Sequence, residues 1–352
     1  MPLEGLFGGD RAHGTPTGIR PAATFPSQAG CAAVAAVAVT GLALAGCDGP
    51  QSALDAAGRD AAAVGNLFWI MVAGAVVVWV IVIGIAIAAV LLPPGSAGAA
   101  NALILGGGVA FPVVVLAALL TFGLGLLPDW SDSGSRVKIH VTGEQWWWRV
   151  VYERADGTTV RDSNEIHMPA GEPVEFVLTA DDVIHSFWIP PIGGKMDMIP
   201  GRTNRLVLTA EKPGTYRGVC AEFCGTSHAL MAFSAIVHEP ADFDAWLDTQ
   251  AATATIADTD AARRGRDLFL GAGCGGCHVM RGVAELGNVG PDLTHIGRRK
   301  TLGAGILPND PDTLAAWIRN PQSLKPGAAM PAYDMLSEAD IAAIASFLAG
   351  AR

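Results

Sequence analysis

Two cysteines, a histidine and a methionine lie within twelve residues, from Cys220 to Met231. Their thiolate, imidazole and thioether groups are ligands that copper selects in proteins. A mononuclear copper site needs one cysteine, whereas the thiolates of Cys220 and Cys224 can each bridge two metal ions. His228 and the more distant His185 would then supply one imidazole to each ion. A disulfide or half of a zinc site is the alternative, but neither explains the histidines and the methionine at these spacings.

A second cofactor motif, Cys274-Gly-Gly-Cys277-His278, is the attachment signature of a c-type haem. The two cysteines would form thioethers to the haem vinyl groups, and His278 would be the proximal ligand of the iron. Met330, in the stretch LKPGAAMPAY, fits the sixth position, since His/Met ligation raises the reduction potential into the range of an electron carrier. Met335 is also nearby, but the Met-Pro setting favours Met330.

The stretch GPDLTHIGRR, residues 290–299, resembles the loop of small class I cytochromes c that contacts the edge of the haem. The resemblance implies that the carbonyl group of Pro291 orients His278. Arg298 is a candidate for facing a haem propionate. His295 lies too close to the His278 loop to compete as an axial ligand.

The chain has 352 residues, of which 51% are hydrophobic and only 16% are charged. An ordinary soluble domain is roughly 25% charged, so this composition excludes a disordered chain and disfavours a purely soluble protein. The formal net charge of −10 argues against a nucleic-acid-binding protein, which needs a basic surface. Residues 129–258 carry 19 acidic and 10 basic side chains, so nearly all of the net negative charge lies in the middle of the chain.

Two apolar segments without a charge, 67–92 and 102–127, are each long enough to span a bilayer with some tilt. Pro112 in the second segment is tolerated in membrane helices, where freed backbone groups find other partners. Residues 1–46 are typical of a secretory signal, and Leu-Ala-Gly before Cys47 resembles the lipobox of bacterial lipoproteins. Cleavage there would leave a lipid on Cys47 and place everything after residue 128 on the outer, periplasmic face of the bacterial inner membrane.

The remaining pattern predicts a β domain followed by a helical one. From residue 136, short runs of alternating apolar and polar residues predict an antiparallel sandwich or barrel. Ser337-Glu-Ala-Asp340 predicts a capping box at the start of the last helix. The expected segments are an N-terminal segment (47–66), a two-helix transmembrane hairpin (67–128), a β domain (129–240), a linker (241–258) and a helical haem-binding domain (259–352).

Five stretches of the sequence carry a family resemblance. The helix hairpin, QWWW (145–148), HSFWIP (185–190), KMDMIPGR (195–202) and the 220–231 loop together resemble subunit II of cytochrome c oxidase. With the haem motif, the chain is similar to oxidases in which cytochrome c is fused to subunit II. The resemblance implies a multidomain fold: a two-helix transmembrane hairpin, a cupredoxin-like Greek-key β-barrel with a dinuclear CuA centre, and an all-α class I cytochrome c domain.

The resemblance also implies roles for single residues. The expected copper ligands are the bridging Cys220 and Cys224, the imidazoles of His185 and His228, and, more weakly, Met231 and the backbone carbonyl of Glu222. The side chain of Glu222 would reach a magnesium ion shared with subunit I, and Trp146 would be the residue through which electrons enter. One departure is Leu105, which stands where many members of the family carry a glutamate that opens a proton path.

By this resemblance the chain is the subunit of a haem–copper oxidoreductase that receives electrons. Haem c would take them from cytochrome c or a quinol–cytochrome c reductase, and CuA would pass them to subunit I, which assembles with subunit III. The two apolar segments contain no histidine, so reduction of oxygen to water is expected in another subunit. The alternatives are a CuA-type nitric oxide reductase subunit and a membrane-anchored copper-binding or copper-delivery module.

Overall fold

The computed structural model describes Gly49 and residues 51–93, 95–126 and 134–352. The expected signal segment and Cys47 lie outside the described residues. The helices are α1 (Arg59–Leu91), α2 (Ala97–Ala102), α3 (Phe111–Leu124), α4 (Pro240–Ala251), α5 (Asp260–Gly271), α6 (Pro311–Arg319), α7 (Pro321–Leu324) and α8 (Glu338–Ala349). The strands are β1 (Val137–Glu144), β2 (Trp147–Glu153), β3 (Thr159–Ser163), β4 (Glu165–Pro169), β5 (Pro173–Ala180), β6 (His185–Trp188), β7 (Met196–Met198), β8 (Asn204–Thr209), β9 (Gly214–Cys220), β10 (Ala232–His238), β11 (Thr301–Leu302) and β12 (Leu307–Pro308).

Two helices are long and apolar enough to cross a membrane. The first is α1, and the second runs from Ala97 to Leu124 through a π-helical segment, Leu103–Ala110. At the end of that segment the amide of Phe111 donates to the carbonyl of Gly106, five residues earlier. Pro112 follows and has no N–H to donate, so the wider turn lies where the regular hydrogen-bond ladder would be interrupted.

The β domain consists of two five-stranded sheets, in the orders β3-β2-β1-β5-β8 and β4-β10-β9-β6-β7. The alternation of apolar and polar residues correctly predicts β1, whose residues are alternately buried and half-buried. Most neighbouring strands are antiparallel, as expected. The β1–β5 and β4–β10 pairs are parallel, with Val137 opposite Val174 and Ser234 opposite Glu165. The two strands of each of these pairs are not consecutive in the chain.

Aromatic side chains fill the space between the two sheets. Trp148, Phe187 and Phe233 are at most 1% exposed, and the ring of Trp148 meets that of Phe233 edge-on at 5.2 Å. Helix α4 adds Phe243 to the same core, with Trp246 packed beside it. The sequence predicts a short helix and then a linker over residues 238–260. The helix is α4, which packs on the β domain and takes up most of the stretch assigned to the linker, 241–258.

The helical domain (residues 259–352) has a separate core between α5 and α8, where the rings of Phe269 and Phe347 lie 5.8 Å apart. Gly265 lets these helices approach, since a Cβ there would lie 2.5 Å from the Cβ of Phe347. Ser337 caps α8 as predicted, because its hydroxyl accepts from the amide of Asp340 and donates to that carboxylate. The fold is thus two apolar helices, a cupredoxin-like β domain and a helical domain.

Candidate metal centres and the interface between them

The 220–231 loop and strand β6 bring four predicted metal ligands together. The sulfur atoms of Cys220 and Cys224 are 3.7 Å apart, so they are free thiols in this structure and form no disulfide. Nδ1 of His185 lies 3.8 Å from the sulfur of Cys220, and Nδ1 of His228 lies 3.5 Å from that of Cys224. Each thiolate therefore has its own imidazole, an arrangement that suits two metal ions held between two shared sulfurs.

The two weaker predicted ligands lie on the same loop. The thioether sulfur of Met231 is 3.7 Å from the sulfur of Cys224, and the residue is 1% exposed. The carbonyl oxygen of Glu222 lies 3.2 Å from the sulfur of Cys220. Glu222 itself is exposed. Two thiolates, two imidazoles, a thioether and a carbonyl form a donor set that fits copper.

Two residues that the sequence motifs do not include hold His185 in position. Asp182 accepts a hydrogen bond of 2.8 Å from Nε2 of His185, which leaves Nδ1 facing the cysteine. A carboxylate on the far nitrogen fixes both the orientation and the tautomer of an imidazole ligand. Gly143 on β1 makes room for the ring, because a Cβ there would lie 2.8 Å from Cδ2 of His185. Asp182 could have been found from the sequence, because it is an acidic residue only three positions before His185.

The two thiols share their protons unequally. The hydrogen bond from Cys224 lowers the pKa of Cys220 to about 3. The same contact raises the pKa of Cys224 above its usual value. The contact thus favours Cys220 as the thiolate of the pair, and both thiols must be deprotonated when a metal binds, since metal ligation requires thiolates.

Trp146 connects this loop to the helical domain. Its indole Nε1 donates a hydrogen bond of 2.9 Å to the carbonyl oxygen of Cys224, and the residue is 8% exposed. Gly225 follows with a φ of +110°, and a Cβ there would lie 3.2 Å from the indole. On the other side, Trp146 lines the cavity that contains the CXXCH motif.

That cavity has a volume of about 230 Å³ and brings the four predicted haem residues together. Cys274, Cys277, His278 and Met330 all line it. Most of its other walls are apolar side chains of the helical domain, among them Phe269. An apolar cavity with two thiols, an imidazole and a thioether on its walls is the donor set that fits a c-type haem.

The imidazole of His278 is held in one orientation. Its Nδ1 lies 2.7 Å from the carbonyl oxygen of Pro291, the contact that the sequence resemblance implied. This contact leaves Nε2 as the nitrogen free to bind a metal. Gly290 packs against the ring, since a Cβ there would lie 2.5 Å from Cε1. His295 is not part of the cavity wall, and its Nε2 lies 3.1 Å from the carbonyl of Ala252.

The arginine at the cavity is not the predicted one. Arg298 is exposed and does not line the cavity, whereas Arg299 is buried and does. The short helical turn Ile296–Arg298 directs the two neighbouring side chains to opposite sides. Arg299 forms a buried ion pair of 3.0 Å with Asp162 on β3 and donates to the carbonyl of Asp292. The structure therefore places Arg299, and not the predicted Arg298, at the cavity.

Several further contacts join the helical domain to the β domain. The amide of Ala232 donates to the carbonyl of Ala304 at 2.9 Å, and Arg217 donates to the carbonyl of Gly305 at 2.9 Å. The amide of Lys300 donates to the carboxylate of Glu165. Backbone contacts of this kind need both domains in place, so the two domains are docked against each other in this structure.

A buried lysine lies at the centre of this interface. The ammonium group of Lys325 donates to the carbonyl oxygens of Trp146 at 2.6 Å, Gly303 at 2.7 Å and Leu230 at 2.8 Å. Lys325 is 3% exposed. Burial lowers its pKa to about 7, whereas three carbonyl acceptors favour the charged form, which alone has three N–H donors.

A second cluster of titratable side chains lies on β4 and β10 of the β domain. Nδ1 of His167 is 2.7 Å from Nε2 of His238, and the ring of His167 stacks on Trp246 at 3.8 Å. Burial lowers the pKa of both histidines to about 4, and it raises that of the neighbouring Glu165 to about 7. None of these residues lies in a sequence motif, and burial favours the neutral form of each of the three titratable side chains.

Two families match parts of the chain. The family described as Cytochrome C oxidase subunit II, periplasmic domain, matches residues 137–238, and the family described as Cytochrome c matches residues 262–352. The first range contains the 220–231 loop and the second contains the CXXCH motif.

Individual relatives agree with these matches. A protein named cytochrome c oxidase subunit 2 from Alkalihalophilus pseudofirmus is 43% identical over 221 residues, which are 63% of this chain and 63% of the relative. One of the same name from Bacillus sp. (strain PS3) is 34% identical over 250 residues, 67% of this chain and 69% of the relative. The chain thus spans less than two thirds of the first relative. The solved periplasmic domain of subunit II of cytochrome oxidase from Bradyrhizobium japonicum is 32% identical, covers 33% of this chain and 94% of its own, and has a TM-score of 0.31.

Proposed function

The chain belongs to the cytochrome c oxidase subunit II family and carries a cytochrome c domain, and from this premise we propose that electrons enter a terminal haem–copper oxidase through it. In this proposal a donor reduces haem c, the electron moves to the dinuclear CuA centre, and subunit I receives it and reduces oxygen to water. The single observation that supports this most is the joint placement of both ligand sets, with Trp146 hydrogen-bonded to one and lining the cavity of the other.

In the β domain, the proposed roles follow the contacts of each ligand. Two copper ions would share the sulfurs of Cys220 and Cys224, and His185 and His228 would bind one ion each through the nitrogen that faces its cysteine. Such a pair of ions exchanges one electron at a time. Asp182 would hold His185 in place whichever charge the pair carries, because its hydrogen bond is to the other ring nitrogen.

The weaker ligands have proposed roles as well. Met231 and the backbone carbonyl of Glu222 would be the weaker copper ligands. Met231 lies beside the sulfur of Cys224, and the carbonyl of Glu222 lies beside that of Cys220. The exposed carboxylate of Glu222 would reach a magnesium ion shared with subunit I.

In the helical domain, we propose that haem c is bound through thioethers to Cys274 and Cys277. His278 would be the proximal ligand, held by the carbonyl of Pro291, and Met330 would be the sixth ligand. His/Met ligation raises the reduction potential of an iron porphyrin. Arg299, buried beside the cavity, is better placed than Arg298 to face a propionate.

The two apolar helices would anchor the chain in the bacterial inner membrane, with both metal domains on its outer face. The proposed boundaries are those of the sequence pattern, 67–128 for the hairpin, 129–240 for the CuA domain and 259–352 for the cytochrome domain, and 1–46 would be removed before Cys47. The partners would be subunits I and III in the membrane and a cytochrome c or a quinol–cytochrome c reductase as donor.

Purification of the chain with its membrane partner tests this proposal. We expect the complex to consume oxygen when it is supplied with a reduced c-type cytochrome, and to contain covalent haem together with copper in this chain. Consumption of nitric oxide instead of oxygen would assign the chain to a nitric oxide reductase. A copper-loaded chain that never acquires haem would instead be a copper-binding or copper-delivery module.

A further inference from the structure

Lys325 is the one buried lysine among the described residues, and its ammonium group lies between the two metal-binding domains. Two of its three carbonyl acceptors, Trp146 and Leu230, belong to the β domain, and the third, Gly303, belongs to its own domain. Leu230 precedes the predicted ligand Met231, and Trp146 lies beside Cys224. One side chain of the helical domain thus touches the backbone on both sides of the proposed copper site.

The hydrogen bonds of Lys325 favour a role in positioning the two domains. An ammonium group has three N–H donors, and three carbonyl oxygens between 2.6 and 2.8 Å away satisfy all of them. No carboxylate within the described part of the chain forms an ion pair with Lys325. A buried charge without hydrogen bonds would be very costly, so the lysine is retained inside only while both domains supply their carbonyl groups.

The residues that follow Lys325 also contact Trp146 and the 220–231 loop. Gly327 has a φ of +83°, and a Cβ there would lie 2.6 Å from Cζ3 of Trp146, so the backbone lies directly on the indole. The hydroxyl of Ser227 donates to the carbonyl of Pro326 at 2.6 Å. Residues 325–327 therefore cover Trp146, which explains why the indole is 8% exposed.

We propose that Lys325 is the positioning residue that holds the helical domain against Trp146 and so fixes the geometry in which electrons pass between the two metal sites. This inference rests on the proposed function. One electron leaves the reduced haem iron and the copper pair gains it, so no bond and no proton is exchanged. A flexible tether would have to bring the domains together by diffusion, whereas the docked pair transfers from a fixed contact.

Hydrogen exchange of the full-length chain tests the positioning without any electron transfer. The amide of Ala232 donates across the interface to the carbonyl of Ala304, so its exchange reports directly on docking. In Lys325→Met, which keeps the side-chain length but removes the donors, we expect this amide to exchange at least about tenfold faster, corresponding to about 1.4 kcal/mol. Amides within α8 should be unchanged.

Lys300→Met is the matched control, because Lys300 is exposed and is the only other lysine of residues 259–352. It should exchange like the parent. Unchanged exchange at Ala232 in Lys325→Met would overturn the proposal. If the amides of α8 also lose protection in Lys325→Met, the test is Lys325→Gln, which keeps a hydrogen-bond donor. Exchange at Ala232 that is intermediate between the parent and Lys325→Met supports the proposal. Exchange equal to that of the parent overturns it.

Electron transfer within the chain is the second measurement. After flash reduction of the haem, its reoxidation by copper should be at least about tenfold slower in Lys325→Met than in the parent, with the absorption spectra of both metal sites unchanged. Equal rates in the two proteins would refute the positioning role and leave the proposed function intact. Absence of transfer in the parent would instead refute the proposed function.

Discussion

The indole of Trp146 donates its hydrogen bond to the carbonyl oxygen of Cys224, at 2.9 Å, while the same ring lines the cavity of the CXXCH motif. Cys224 is one of the two proposed bridging ligands, so a single side chain lies between the two proposed metal sites. Its placement goes beyond that of a core aromatic residue. Trp148, two residues later, has its ring in the core between the sheets.

Removing the hydrogen bond from Trp146 to Cys224 should slow electron transfer between the two proposed metal sites. In Trp146→Phe the ring volume is largely kept, but the N–H that contacts Cys224 is lost. We expect slower reoxidation of the flash-reduced haem, with copper and haem still bound. Trp147→Phe is the control, because Trp147 also lines the cavity but its ring lies under the guanidinium of Arg149. Equal slowing in both variants would contradict a specific role for Trp146.

Loss of one bridging sulfur should remove the copper pair. Cys224→Ser retains the size of the side chain but takes away a soft thiolate that two ions would share. Metal analysis should show that dinuclear copper is lost while covalent haem remains. Cys47→Ser should keep both metals and stay in the membrane through the apolar helices, and the mass of the mature N-terminus would show whether a lipid is attached. Retention of the near-infrared copper band in Cys224→Ser would be inconsistent with the bridging role.

Met330 should control the potential of the haem without holding it. In Met330→Ala the thioethers remain, so the haem should stay attached, while its reduction potential falls and a coordination position opens. A redox titration and the binding of an added imidazole check both effects. Met335→Ala is the control, since Met335 is 73% exposed and does not line the cavity. An unchanged potential in Met330→Ala would exclude this methionine as a ligand.

Removing one member of the buried ion pair between Arg299 and Asp162 should destabilise the fold more than removing both. Both side chains are at most 6% exposed, so Arg299→Met leaves a buried carboxylate without its partner and should cost about 3–5 kcal/mol of stability. The double variant Arg299→Met with Asp162→Leu should recover much of this loss, because no uncompensated charge remains. Urea unfolding of the parent and both variants measures it. A single variant as stable as the parent would show that the pair contributes little.

Glu165 should make the protein less stable as pH rises. Burial raises the pKa of Glu165 from its ordinary 4.5 to about 7, so between these values the folded state holds a proton that the unfolded state has lost. Stability from this group therefore falls with increasing pH over that window, and the penalty is complete above about pH 7. Glu165→Gln should be more stable than the parent at pH 8 by about 1–3 kcal/mol.

The difference between parent and variant isolates Glu165 from the neighbouring histidines. His167 and His238, with pKa values of about 4, make both proteins more stable as pH rises towards 6.5. At pH 4.5 and below, the advantage of Glu165→Gln should disappear. An advantage that is independent of pH would show that the substitution acts through packing.

The fold class and both ligand motifs could be predicted from the sequence because their residues are close together along the chain. Cys220 to Met231 and Cys274 to His278 are local patterns, and the need of a dinuclear site for a second imidazole added His185. The alternation in β1 was equally readable. The parallel pairing of β1 with β5 was not, because partners distant in sequence leave no periodic signal.

The interface between the domains could not be predicted. Lys325 and Trp146 are 179 residues apart, and Asp162 and Arg299 are 137 apart, so nothing in the sequence connects them. The sequence predicts a short helix and then a linker between the domains, and nothing in that pattern shows that the two domains dock as they do in the structure. Arg298 and Arg299 are neighbours in the sequence, and only the turn Ile296–Arg298 separates the directions of their side chains.

The most direct test is a flash-reduction experiment on the purified full-length chain loaded with copper and haem. The account predicts that the reduced haem is reoxidised in step with loss of the near-infrared band of oxidised copper. The rate should not depend on protein concentration, because both sites lie on one chain and its domains are docked. A haem that stays reduced beside oxidised copper, or a rate proportional to protein concentration, would contradict it.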